Sequence, residues 1–89
     1  MAKVIACAVR DAASDSFNRP FFVPSIGLAI RSFTDEVNRV APENVMHWHP
    51  EHFELFRIGM YDEDSGLLEA LTPPMSLAIA SNVRVKEGV

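Results

Sequence analysis

Three imidazoles and a carboxylate fall within six residues, His47-Trp48-His49-Pro50-Glu51-His52, a donor set that could in principle hold zinc. The spacing matches no standard zinc pattern, and Pro50 stiffens the middle of the segment. On an extended chain His47 and His49 share a side, while His52 must fold back to join them. No metal is assigned, and His47, His49 and His52 stand as weak candidates only. A loop or helix start accounts for the same residues, with Pro50 at a first helical position and Glu51 near the positive helix end. The acidic turn Asp62-Glu63-Asp64-Ser65-Gly66 places carboxylates at alternate positions, as calcium sites do. A calcium loop needs about twelve residues closed by a bidentate acid. Glu69 comes too soon for that, so the turn is read as a solvated hairpin connection.

No motif for covalent or phosphate chemistry is present: no phosphate-cradling glycine loop, no nucleophile elbow, no Cys-x-x-Cys pair. The chain, at 89 residues, also has little room for an enclosed pocket. It is read as a non-enzyme without catalytic residues or cofactor. Interaction surfaces remain. Arg10, Arg19, Arg31 and Arg57 could touch phosphates while Trp48 or Tyr61 stack bases. The same arginines and rings could equally build a protein-binding hot spot. Most of the large rings belong in the core; Trp48, set in a polar loop, is expected to be partly exposed.

Charge weighs against an extended nucleic-acid contact. Twelve acids face eight bases, and only two of those bases are Lys. Sequence-independent DNA binding depends on cations that displace counterions from phosphates. The chain forms one domain, residues 1–89, and so small a domain buries only about 60–65% of the surface exposed by its unfolded chain. With 48% hydrophobic residues, including six Phe, self-association is the expected outlet for surplus apolar surface. Cys7 is the single cysteine and lies in an apolar run, as a core residue in a reducing compartment would. No signal peptide is recognisable, and no apolar stretch approaches the ~18 residues of a membrane span.

Val4–Val9 reads as a mostly buried first strand, followed by a loop or single helical turn over Asp11–Asn18. Phe21–Val23 lies between Pro20 and Pro24 and belongs at a sheet edge. Ser25 is placed to cap a helix running from Ile26 to about Val40. Ile26, Ala29, Ile30, Phe33, Val37 and Val40 form its buried stripe. Arg31–Asp35 and Asp35–Arg39 are its expected surface pairs, and Gly27 offers room for a second backbone. Pro42 ends the helix, and a polar loop runs to His52. Phe53–Tyr61 alternates as a strand, with Phe56, Ile58 and Met60 on one face and Leu55, Arg57, Gly59 and Tyr61 on the other. Gly66 suits a positive φ in the hairpin turn. Leu67–Leu71 returns as the partner strand and Pro73-Pro74 breaks it. Met75–Ala80 is a strand or a short helix, with strand preferred, and the tail after Asn82 is expected to fray.

The segment Arg19–Asn38, with its Pro20-Phe21-Phe22, and the later string Phe56-Arg57-Ile58-Gly59-Met60-Tyr61-Asp62 resemble the small nonstructural protein of gokushovirus-type microviruses. These are tailless bacteriophages with a single-stranded DNA genome. The order and spacing of the two blocks agree, His49-Pro50-Glu51 resembles that family's His-Pro-acid turn, and the similarity spans roughly Val9 to Asn82. The longer Val40–Trp48 stretch, with His47 and Trp48, departs from it. What the resemblance implies is an accessory role in single-stranded genome synthesis and DNA packaging during virion assembly, in the host bacterial cytoplasm.

The expected fold is α+β: a small antiparallel sheet of three to five strands with the Ile26–Val40 helix packed on one face. Two roles fit. One is a protein–protein adaptor that docks on phage replication or procapsid proteins, as a homodimer or higher oligomer. The other is a direct single-stranded DNA-binding protein using Arg10, Arg19, Arg31 and Arg57 with Trp48 or Tyr61. A scaffolding or minor virion component is a third, structural option.

Overall fold

The computed structural model describes residues 3–85. Its fold is α+β, one five-stranded antiparallel curled sheet with one main helix of 13 residues. The strands are β1 (Lys3–Asp11), β2 (Ser16–Phe17), β3 (Phe21–Val23), β4 (Phe53–Asp62) and β5 (Leu67–Ile79). β1 and β4 are central; β5 forms one edge, and the short β2 and β3 share the other edge of β1. β2 occupies part of the expected 11–18 loop, and Phe21–Val23 takes the edge position that its flanking prolines require.

α1 (Ile26–Asn38) lies across one face, and the Ser25 hydroxyl accepts from the Leu28 amide at 3.2 Å. Ala29, Phe33 and Val37 are buried against Cys7 and Val9 of β1 and Phe53 and Leu55 of β4. The helix stops short of Val40, which is 66% exposed and outside the stripe. Tertiary capping explains the early end: the buried Asn44 side chain donates to the carbonyls of Glu36 and Arg39 at 2.8 and 2.9 Å. Arg39 bonds Glu36 at 2.8 Å and Glu43 at 3.3 Å in place of the expected Asp35, and the expected Arg31–Asp35 pair does not form either. That Arg39 bond holds the Glu36 carboxyl below its ordinary pKa. Gly27 has no atom near its missing side chain; the close backbone approach falls at Gly59 instead.

Where a polar loop was expected, the chain folds into α2 (Val45–Trp48) and a 3₁₀ turn, Pro50–His52. Pro50 opens that turn, a position where no amide hydrogen is needed. In β4 the register passes from Cys7↔Arg57 to Ala6↔Gly59, leaving Ile58 as an extra residue. This bulge reverses the alternation, so Gly59 and Tyr61 share a face with Phe56, while Met60 shares one with Ile5. The turn after β4 has Gly66 at φ 75°, its amide donating to the Asp62 carbonyl at 2.8 Å.

Pro73-Pro74 does not end β5. Pairing skips from Gly59↔Ala70 to Arg57↔Met75, so both prolines sit in an unpaired stretch of an edge strand, where a missing amide costs no ladder bond. A cis bond joins Thr72 to Pro73. Met75–Ile79 is strand, and α3 (Ala80–Val83) follows. Val83–Val85, expected in the frayed tail, are held instead. The Asn38 side chain donates to the Val83 carbonyl at 3.0 Å and accepts from the Val85 amide at 2.7 Å. The rest of the expected tail, 86–89, lies outside the described residues.

Candidate interaction surface

Helices cover only one side of the sheet. Along β1, Ile5, Cys7 and Val9 face the core, so Val4, Ala6, Ala8 and Arg10 face away. Residues opposed across antiparallel strands share a face. The far side therefore carries Tyr61 opposite Val4, Phe22 and Gly59 opposite Ala6, Phe56 opposite Ala8, and Phe17 opposite Arg10. Ring contacts agree with this register: Phe17 meets Phe56 edge-on and Phe22 meets Tyr61 at a tilt, each at 5.4 Å between centroids. Phe17 is 44% and Phe22 50% exposed, though Ala6 and Ala8 beneath them are buried. A shallow apolar depression between Ala8, Phe17, Pro20, Ile58 and Pro74 continues the surface. The sheet thus hides small residues under large rings, of which Phe17 and Phe22 are left open to solvent while Phe56 and Tyr61 are half-buried.

The four candidate arginines are divided between the two sides. Arg10 is on the open face and bonded to Asp15. Arg19 lies exposed in the connection between β2 and β3, beside the aromatic surface. Arg31 points to solvent from α1, on the covered side. Arg57 is half-buried opposite Cys7 and Met75, with its Nε buried and unpaired. Trp48 is half-exposed, yet its indole donates to the Ala41 carbonyl at 2.8 Å and its ring stands nearly perpendicular to that of His47, with centroids 4.6 Å apart. Its place is on α2, which packs against α1, so it does not join Tyr61 on the open face.

The three histidines also separate. His47 is buried, with Nδ1 3.0 Å from the Val37 carbonyl and Nε2 3.0 Å from the Arg84 guanidinium. His49 and His52 instead come together with Glu51, all three donor atoms lying within 4.8 Å of one another. Sequence reasoning missed the ring set Phe17, Phe22 and Phe56. Strand alternation could have proposed each ring's side, but the β4 bulge had to be known first.

Fold and surface define a small α+β protein whose sheet is half covered by helices and half open and aromatic. The chain belongs to the Phage ORF5 protein family, whose model matches residues 4–83. No curated protein and no solved structure matches it. No helix among the described residues is long and apolar enough to cross a membrane.

Proposed function

We propose that this phage protein is a microvirus nonstructural accessory factor, acting in single-stranded genome synthesis and packaging in the host bacterial cytoplasm. It works as a protein–protein adaptor, docking on replication or procapsid proteins. The open sheet face carries this reading. Phe17, Phe22, Phe56 and Tyr61 form an apolar patch whose neighbouring cations are Arg10, already bonded to Asp15, and Arg19, while Arg31 and Arg57 belong to the other side. Aromatic side chains supply the anchor residues of protein interfaces, whereas phosphate contacts need convergent positive charge. Docking through this face extends to a second copy of the chain, giving a homodimer or higher oligomer.

Arg19 beside half-open rings favours a second reading, base stacking on single-stranded DNA. Fluorescence anisotropy with a single-stranded oligonucleotide at several salt concentrations separates the two. An adaptor binds near physiological salt no more tightly than the non-specific range, roughly 10⁻⁴–10⁻⁶ M. Submicromolar affinity, with a salt slope that falls by about 0.7 when Arg19 becomes Ala, would overturn the adaptor reading in favour of stacking. In that case Phe22→Ala also costs about 1–3 kcal/mol of binding.

A further inference from the structure

We propose that His49, Glu51 and His52 bind one divalent ion of the zinc class, with a fourth coordination position open to solvent. Zinc takes histidine nitrogen and carboxylate oxygen at about 2.0–2.2 Å, so tetrahedral ligand atoms stand about 3.3–3.6 Å apart. Glu51 Oε2 lies 3.7 Å from His52 Nε2 and 3.9 Å from His49 Nδ1, and no donor pair exceeds 4.8 Å. Small side-chain rotations close that gap, and His49 and Glu51 are exposed and free to make them.

The backbone beneath is already in place. The His49 amide donates to Val45 at 2.8 Å, the His52 amide to His49 at 3.1 Å, and the Ala12 amide to the His52 carbonyl at 2.8 Å. Pro50 fixes its own φ between the two histidines. A 3₁₀ turn has three residues per turn, so positions three apart eclipse; that is how His52 folds back over His49. The two rings lie 5.8 Å apart and within 14° of parallel. Glu51 pairs with no Lys or Arg among the described residues; its ion-pair contacts are these histidines. Two nitrogens and one oxygen suit zinc and its neighbours, whereas magnesium and calcium prefer all-oxygen sites. A shallow groove along Asp11, Val45, His49, His52 and Phe53 leaves space for water beside the two histidines.

This inference does not depend on the adaptor role. Isothermal titration of chelator-treated full chain with zinc sulfate should give one zinc per chain at micromolar affinity, and magnesium chloride no binding. His49→Ala and His52→Ala should each weaken zinc binding by at least about tenfold, since metal affinity depends on ligand count. Zinc should also shift the imidazole NMR signals of His49 and His52 in the unmutated chain, and leave those of His47 in place. Absence of micromolar binding, unchanged affinity in both variants, or unshifted His49 and His52 signals would each overturn the proposal.

Discussion

Arg84 grips His47 twice. Its Nε donates to the His47 carbonyl at 3.0 Å and its Nη2 to the ring Nε2, also at 3.0 Å. A guanidinium only donates, so Nε2 must accept. The proton therefore sits on Nδ1, which donates to the Val37 carbonyl at 3.0 Å. One imidazole thus ties the C-terminal segment to α2 and to the last turn of α1.

Arg84→Ala should cost about 1–3 kcal/mol, because it strands a buried ring nitrogen and a carbonyl without partners. Arg31→Ala, on the exposed face of α1, should stay within about 0.5 kcal/mol of the unmutated chain. Urea titration compares them. Equal small effects would mean that the clamp contributes nothing to stability.

Phe33 is 3% exposed at the centre of the helix–sheet contact, and its truncation to Ala should cost about 3–5 kcal/mol. In a domain this small that removes most of the folding free energy. Asp35→Ala, on the solvent side, should change stability by less than about 0.5 kcal/mol. Similar losses from the two in denaturant melts would contradict the buried face.

Gly59 is buried, and a Cβ there would run into the backbone carbonyl of Glu69 on the neighbouring strand. Gly59→Ala should destabilise by about 1–3 kcal/mol or more, since backbone cannot step aside as a side chain can. At Gly27 nothing stands in the way, and Ala in that first helical turn should stabilise by about 0.5–1 kcal/mol. Thermal melts of the two variants should move in opposite directions.

Burial pushes the Cys7 thiol pKa up, against a weaker downward pull from the Arg57 charge. Only the thiolate attacks disulfide reagents. The native chain should therefore react slowly with an aromatic disulfide at mildly alkaline pH, and release one equivalent promptly in denaturant. Arg57→Leu should slow the native reaction further. Rapid labelling of the native chain would place Cys7 outside the core.

Local rules account for the elements that were legible in advance. Ser25 before an apolar three-and-four stripe marks α1, Gly66 after an acidic run marks the hairpin, and prolines either side of Phe21–Val23 mark an edge. Each depends on residues within a few positions, so one chain segment carries the whole signal. The Pro20-Phe21-Phe22 and Phe56–Asp62 strings likewise pointed to a phage protein, and the family match over 4–83 rests on sequence alone.

What tertiary structure decided is non-local. Whether Pro73-Pro74 breaks a strand depends on which side of β5 lacks a neighbour, and that is a property of the sheet. The end of α1 depends on Asn44 reaching back to carbonyls whose position the helix pattern does not encode. The Ile58 bulge reassigns faces by one residue, and with it which rings meet on the open side. His47, His49 and His52 lie within six residues of one another. Packing sends His47 into the core against Val37 and Arg84, while a 3₁₀ turn stacks the other two beside Glu51 at the surface. Side-chain chemistry was present in the chain from the start, but its grouping required the register and the turns that only the folded backbone supplies.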